Sequence, residues 1–171
     1  MKKVLVVVDM QNDFITGSLA NKEGQAIVSK VAEYIRNFDG DVIATVDTHT
    51  EDYLETQEGK KLPVPHCIEM TEGWQIVPGV YEALFCENRH TDILMKGTFG
   101  SKDLPKFLAG ADEIEFVGVC TDICVISNAM IAKAFYPEVP IKVHAGLCAG
   151  VTPESHENAL KAMAACQIEI V

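Results

Sequence analysis

The stretch IEFVGVCTDIC, residues 114–124, decides the fold, because an apolar run passes directly into a helical pattern here. Residues 114–120 lack the period-two alternation of a half-exposed strand, so they predict a strand with helices over both faces. The apolar spacing of residues 123–135 predicts the helix that follows. Two cysteines at this junction, Cys120 and Cys124, could be a redox pair, a metal clip, core residues, or a nucleophile and its surroundings.

The same alternation extends along the chain. Short apolar runs predict six strands, at residues 3–8, 42–47, 93–96, 114–120, 141–145 and 168–171. Helical spacing predicts helices at residues 25–38, 102–108, 123–135 and 154–166, the last with Thr152 as N-cap. The pattern predicts an α/β protein with a six-stranded, mainly parallel sheet and helices on both faces. Residues 48–77 show no sustained periodicity, which is typical of a functional loop or a disordered segment.

Size and composition limit what the chain can do. A length of 171 residues, 48% of them hydrophobic, suits one domain over residues 1–171. The net charge is −11 and the basic residues are dispersed, so we expect no nucleic-acid partner. No apolar run reaches the roughly 18 to 20 residues of a membrane span, and the first run ends at Asp9, too early for a signal peptide. Six cysteines without a C-x-x-C pair predict reduced thiols in a cytoplasmic protein.

Polar residues follow several of the predicted strands at their carboxyl ends. They are Asp9, Asp47, His49, Lys96 and Cys124. In open parallel sheets, ligands bind beyond the carboxyl ends of the strands, where the strand order reverses. We therefore expect these groups to surround one cleft.

Cys124 has the position of a nucleophile. The first turn of a helix favours the thiolate through unpaired N–H groups and the helix dipole, and a nearby lysine would add to this. Asp9 could accept the thiol proton, or it could cap a turn. Lys96 could stabilise the charges that result from this proton transfer. Alternatively, its stem could lie along the surface with the ammonium group in water. Spacing alone also leaves open that Cys124 is a small core residue.

Two histidines and a carboxylate form a candidate metal site. Asp47 and His49 are two residues apart in an extended segment, and His66 follows in the long loop. Such ligands suit a first-row transition ion with open positions for water and substrate. Spacing alone does not specify a metal, and the two histidines could be unrelated polar loop residues.

Three motifs carry a family resemblance: VDMQNDF at 8–14, MKGTF at 95–99 and GVCTDICV at 118–125. Together, in this order and spacing, they resemble the isochorismatase-like cysteine hydrolases, the superfamily that contains the nicotinamidases. The resemblance covers essentially all 171 residues. It implies a Rossmann-like three-layer sandwich that often forms homodimers or homotetramers.

The resemblance also implies roles for individual residues. Asp9, Lys96 and Cys124 match the catalytic triad of the superfamily. The peptide bond before Cys120 should be cis, and the backbone N–H groups of Cys120 and Cys124 should form an oxyanion hole. Phe14 matches an aromatic residue near the substrate, although core packing explains it equally well.

A metal site is implied as well. Asp47, His49 and His66 match the metal ligands of nicotinamidases, whose fourth ligand is His or Glu. The segment between the histidines contains no other His, and we expect Glu58 rather than Glu55 in that place. The resemblance implies a divalent transition metal, with zinc first and iron or manganese as alternatives.

The sequence thus predicts a metal-assisted cysteine amidohydrolase that releases ammonia from a small carboxamide through a thioester. Nicotinamide, converted to nicotinate, is the leading substrate. One departure is that Val64-Pro65 replaces the Trp and Pro pair of nicotinamidases, and the only tryptophan, Trp74, lies beyond. The alternatives are an isochorismatase or another small-substrate hydrolase of the superfamily, and a catalytically silent binding protein. Isochorismatases generally lack the metal site.

The remaining histidines and cysteines have simpler predicted roles. We expect the other histidines to be surface or locally hydrogen-bonded residues, and three of the other cysteines to be core thiols. Cys67 adjoins the proposed metal site, but the resemblance assigns the ligand to His66. The histidines are His90, His144 and His156, and the three core cysteines are Cys86, Cys148 and Cys166.

Overall fold

A computed structural model describes residues 1–86 and 91–171. Within these residues, six strands form one sheet in which every pairing between strands is parallel. The strand order is β3-β2-β1-β4-β5-β6. The strands are β1 (Lys3–Val8), β2 (Asp41–Asp47), β3 (Thr91–Lys96), β4 (Glu113–Val119), β5 (Ile141–Ala149) and β6 (Glu169–Ile170). The predicted parallel α/β sheet is confirmed.

Helices cover both faces of this sheet. They are α1 (Asn12–Ile15), α2 (Lys22–Asn37), α3 (Gln57–Lys61), α4 (Pro78–Leu84), α5 (Leu104–Phe107), α6 (Ile126–Phe135) and α7 (Pro153–Ala165). One buried cluster joins α2 and α4 to residues such as Leu5 and Val7, and a second joins α5, α6 and α7 to Val4 and Val6. Successive β1 side chains therefore enter opposite cores, which explains why this strand is apolar throughout. No helix among the described residues is long and apolar enough to cross a membrane.

The strand order reverses between β1 and β4. From β1 the chain moves outward to β2 and β3, and it then returns to place β4 on the other side of β1. The register pairs Val8 with both Thr45 and Gly118, and Asp47 with Lys96. The residues that follow these positions meet at one edge of the sheet, at the switch point where ligands bind in such folds.

Several element boundaries differ from the predicted ones. Strand β5 continues to Ala149, because an irregularity in its pairing with β4 lets the strand resume beyond residue 145. Helix α2 begins at Lys22, where the Asn21 side chain accepts a hydrogen bond from Gly24 N at 2.6 Å. Residues 48–77 are not without structure, because they contain a 3-10 turn at Tyr53–Glu55 and helix α3. Both elements are too short to produce a helical period.

Gly118 allows β1 and β4 to approach closely. Its φ is +118°, a conformation that L residues rarely adopt, and an added Cβ would lie 2.2 Å from the carbonyl oxygen of Val8. The contact lies next to Asp9, which follows β1, and next to the turn at Cys120, which follows β4. Glycine is therefore required at this position by geometry.

Gly118→Ala should destabilise the protein by about 2 to 5 kcal/mol, because backbone strain adds to a clash with Val8 that cannot relax. Gly146→Ala is the matched control, since a Cβ there meets no atom within 4 Å. Its effect should stay within about 0.5 kcal/mol. Urea unfolding measures both changes, and equal stability of the two variants would contradict the close approach.

Candidate active site and metal centre

The ammonium group of Lys96 lies at the centre of a buried polar cluster. Its Nζ is 2.7 Å from Asp9 Oδ2, 3.4 Å from Asp47 Oδ1 and 3.6 Å from Cys124 Sγ. It also donates to the carbonyl oxygen of Thr98 at 3.1 Å. The side chain is only 1% exposed, so these four groups replace its water shell. The structure thus brings the three residues of the predicted triad together.

Asp9 owes its position to the end of β1. Its backbone is left-handed, with φ of 49°, which turns the chain sharply after Val8. Its N–H donates to the carbonyl of Thr45 at 3.1 Å, and its Oδ1 accepts from the Thr45 hydroxyl at 2.7 Å. One carboxylate oxygen is thereby fixed by β2, while the other contacts Lys96.

Cys124 does not lie in the first turn of an ordinary α-helix. It belongs to a π-helical turn, Thr121–Val125, which leads into α6. The N–H of Val125 bonds to the carbonyl of Cys120 at 3.0 Å, a wider loop than an α-helix makes. The peptide bond between Val119 and Cys120 is cis, as the resemblance implies. All six cysteines are free, so Cys120 and Cys124 form no disulfide.

The surroundings of Cys124 favour the protonated thiol, although a helix N-terminus by itself favours the thiolate. Burial raises the pKa of Cys124 well above its usual range, and the charge of Asp9 raises it further against the opposing charge of Lys96. The loss of solvation on burial therefore outweighs the charge of Lys96.

The charges around the sulfur depend on one another. Burial raises the pKa of Asp9 above its ordinary value, and Asp47 adds to the effect while Lys96 opposes it. Burial alone would lower the pKa of Lys96, but Asp9, Cys124 and Asp47 raise it, so the ammonium stays charged. Burial, together with the charges of Asp122 and Asp9, also raises the pKa of Cys120 to about 12.

A cavity of about 470 Å³ opens onto the sulfur. Apolar side chains form much of its wall, including Phe14, Leu62, Phe99 and Ile123. Phe14 is 9% exposed and belongs to the core beneath α2, as core packing predicts, while its contact with a substrate stays a prediction. A second cavity of about 450 Å³, between Trp74, Tyr81 and Ile93, contains none of the clustered groups.

Four potential metal ligands face one another at the edge of the first cavity. They are Asp47, His49, Glu58 and His66, whose donor atoms all lie within 4.8 Å of one another. His49 Nε2 lies 2.9 Å from Asp47 Oδ2 and 3.8 Å from Glu58 Oε1. Tetrahedral ligands at zinc-like bond lengths lie about 3.4 Å apart, so this donor set fits a divalent ion.

The surroundings of these donors hold them in place. Thr56 caps α3 by accepting from Gly59 N at 3.0 Å, which places Glu58 in the donor set, whereas Glu55 is exposed and lies outside it. The Nδ1 of His66 bonds to the carbonyl of Val64 at 2.8 Å. That bond leaves Nε2 free to bind a metal.

The carboxylate of Asp47 is kept ionised by its neighbours. Burial alone would raise the pKa of Asp47, but hydrogen bonds from His49 and His66 and the charge of Lys96 hold it well below its usual range. Burial would lower the pKa of His66, but the hydrogen bond with Asp47 raises it above the ordinary value. The carboxylate of Asp47 is therefore shared between the donor set and Lys96.

Sequence reasoning missed Gln11, which is completely buried. Its Oε1 accepts from Asp47 N, and its Nε2 donates to the carbonyls of Asp47 and Trp74, all at 2.8 Å. The side chain therefore fixes the backbone of Asp47 from both sides. Gln11 lies within the VDMQNDF motif, but nothing in the spacing indicates its long-range partners.

The other predicted histidines and cysteines lie away from the sulfur. His144 contacts Glu115 at 2.6 Å, and His156 contacts the Thr121 hydroxyl at 2.8 Å, as expected of locally bonded residues. His90 lies outside the described residues. Cys148 is buried and Cys86 is half-buried, but the prediction that Cys166 is a core thiol is wrong, because it is exposed just after α7. Cys67 is buried outside the donor set.

The fold and site define an α/β protein with a nucleophile candidate at the sheet's switch point. Residues 3–171 match the model of the isochorismatase domain. Nicotinamidase/pyrazinamidase of Mycobacterium tuberculosis is 30% identical over 99% of this chain and 98% of its own. The chain belongs to the isochorismatase family.

Solved structures agree with this assignment. A nicotinamidase of Bacillus subtilis superposes with a TM-score of 0.85 at 25% identity, covering 100% of this chain and 99% of that one. A pyrazinamidase of Pyrococcus horikoshii in complex with zinc has a TM-score of 0.82 at 29% identity, with coverage of 100% and 99%. The predicted family and fold are therefore confirmed.

Glu58→Gln should weaken divalent metal binding by at least about 10- to 100-fold, because it removes a charged donor from the set. Glu55→Gln is the matched control, since Glu55 is exposed and should leave affinity unchanged. Competition with a chelator measures both affinities. Equal loss in the two variants, or loss only in the Glu55 variant, would contradict the assignment.

Proposed function

We propose that this protein is a cysteine amidohydrolase that converts a small planar carboxamide into its acid and ammonia, with nicotinamide as the leading substrate. The observation that carries the proposal is the contact of Lys96 with both Asp9 and Cys124, since Cys124 also lines a mostly apolar cavity. The names of the relatives in Mycobacterium tuberculosis and Bacillus subtilis support the choice of amide.

The first half of the reaction forms a thioester. Asp9 removes the proton from Cys124 as the sulfur attacks the amide carbon, so the thiolate exists only during attack. Lys96 stabilises the negative charge that this transfer creates. The N–H groups of Cys120 and Cys124 hold the oxyanion. Each such donor can lower the activation barrier by roughly 3 to 4 kcal/mol. Asp9 then gives its proton to the nitrogen, the carbon–nitrogen bond breaks, and ammonia leaves.

The second half releases the acid. Asp9, again a carboxylate, takes a proton from water as the water oxygen attacks the thioester carbon. The carbon–sulfur bond breaks, and the proton on Asp9 returns to the sulfur of Cys124. The raised pKa of Asp9 suits this repeated exchange, because it makes the carboxylate a stronger base for a thiol or water proton.

Asp47, His49, Glu58 and His66 would hold a divalent ion beside this reaction centre. When bound, the ion would supply positive charge, and a fifth position beyond the four protein donors would orient the substrate or a water molecule. We propose zinc first, since two imidazoles and two carboxylates suit it, with iron and manganese as alternatives for the same donors.

The cavity wall supports a planar substrate without the tryptophan of other nicotinamidases. Phe14 and Phe99 both line the cavity and could face an aromatic ring. Trp74 instead donates to the Thr48 hydroxyl at 2.9 Å and lines the second cavity. We propose that these two phenylalanines supply the ring contacts.

Neither alternative function gains support from a particular observation. An isochorismatase needs no four-donor set, whereas this chain has one. A silent binding protein needs no ammonium group buried between a carboxylate and a thiol. A homodimer or homotetramer, a single domain, a cytoplasmic location and the absence of a nucleic-acid partner remain predictions.

The test is ammonia release from a panel of carboxamides by the zinc-loaded protein, with iron- and manganese-loaded samples alongside. We expect nicotinamide to be hydrolysed, and mass spectrometry of quenched samples should reveal an acyl group on Cys124. If every amide including nicotinamide is inert with each metal, the proposed function is wrong. If another amide reacts and nicotinamide does not, the mechanism stands and the substrate is wrong.

Cys124→Ala should reduce ammonia release by at least about a thousandfold, because no other group can form the thioester. Metal content should not change, since the sulfur lies outside the donor set. Cys120→Ala is the matched control and should keep most of the activity, because only its backbone is used. Turnover retained in the Cys124 variant would exclude this sulfur as the nucleophile.

A further inference from the structure

We propose that Asn128 is a positioning residue, which holds the turn that carries Cys124 against the loop that follows Lys96. The inference rests on the proposed function, because it assigns a role in the same reaction. Asn128 lies on α6, one helical turn beyond Cys124, and is fully buried. It does not touch the cavity, so its effect must act through the groups that it binds.

The amide of Asn128 joins two segments that the chain order separates by more than twenty residues. Its Nδ2 donates to the carbonyl of Cys124 at 2.8 Å and to the carbonyl of Phe99 at 3.2 Å. Its Oδ1 accepts from the N–H of Ser101 at 2.9 Å. Both amide hydrogens and the oxygen are used, and all three partners are backbone groups.

The loop at residues 97–101 needs this support. It lies outside any helix or strand, so its backbone groups depend on partners elsewhere. Its Thr98 carbonyl accepts from Lys96 Nζ, and its Phe99 side chain lines the cavity. A shift of this loop would therefore move a partner of the ammonium group and a wall of the cavity together.

The π-helical turn that carries Cys124 needs support for a different reason. A π-helical turn is rare, and it occurs mostly as a single turn within an α-helix, frequently at a functional site. The bond to the Cys124 carbonyl fixes that turn at the residue whose sulfur reacts. Asn128 thus sets the separation between Cys124 and the loop, on which the contact of Lys96 with the sulfur depends.

We call the hydrogen bonds from Asn128 to Phe99 and Ser101 the bridge to the loop. Two substitutions distinguish this bridge from the bond to Cys124 within the helix. Asn128→Ala removes all three hydrogen bonds. Asn128→Ser can keep the bond to Cys124, because a serine hydroxyl reaches the carbonyl four residues earlier in its own helix, but it is too short to reach Phe99 or Ser101. If the bridge to the loop is what matters, the two variants behave alike.

We expect both variants to lower kcat by about 10- to 100-fold while KM changes less than about 3-fold, because misplaced reactive groups slow the chemistry more than binding. The rate at which iodoacetamide modifies Cys124 should fall at least about 5-fold. Fragment-ion mass spectrometry separates this modification from that of Cys120. The alkylation rate requires no turnover, so it tests the bridge even if no amide proves to be a substrate.

Ala132→Gly is the matched control for lost stability. Ala132 lies on the same helix, is buried, and contributes to the core rather than to the cavity. Its kcat and alkylation rate should stay within about 2-fold of the unsubstituted protein at a temperature below all melting transitions. The proposal is overturned if Asn128→Ser keeps full kcat and alkylation rate. It is also overturned if Ala132→Gly loses as much activity as Asn128→Ala.

Discussion

A buried ammonium group organises this protein. The Nζ atom of Lys96 contacts carboxylates that follow β1 and end β2, and it reaches the sulfur of the turn that follows β4. Removing one charge from water costs several kcal/mol, and only close, well-directed partners offset that cost. Asp9 and Asp47 provide them. The same contacts bring an acid, a cation and a thiol together and place the donor set beside them, so the site and its stability have one physical origin.

The sheet makes this convergence possible. Parallel strands end at one edge, and the reversal of order between β1 and β4 opens a crevice there. Asp9 leaves β1 in a left-handed turn, and Gly118 allows β4 to lie against Val8. Because Asp47 contacts Lys96 and also belongs to the donor set, the charge of the metal site and the charge around the sulfur are coupled. Gln11 reinforces this coupling by fixing the backbone of Asp47.

Much of this arrangement could be predicted from the sequence, because it depends on patterns that are local. Continuous apolar runs predict covered parallel strands, and polar residues directly after them predict the edge where Asp9, Lys96 and Cys124 meet. Spacing does not reveal partners formed across the fold, which is why Gln11 and Asn128 were missed. Burial depends on the whole fold as well, so the raised pKa of Cys124 and the exposure of Cys166 could not be predicted from position in a helix.

We infer that Lys96 and Asp9 stabilise each other inside the protein. A double-mutant cycle tests it most directly, with the free energy of unfolding measured for Lys96→Met, for Asp9→Asn and for the double variant in metal-free protein. A coupling of about 1 to 3 kcal/mol is predicted, because either substitution leaves a buried charge without its main partner. If the two single effects add to the double effect within about 0.5 kcal/mol, the contact does not organise the site and the account is contradicted.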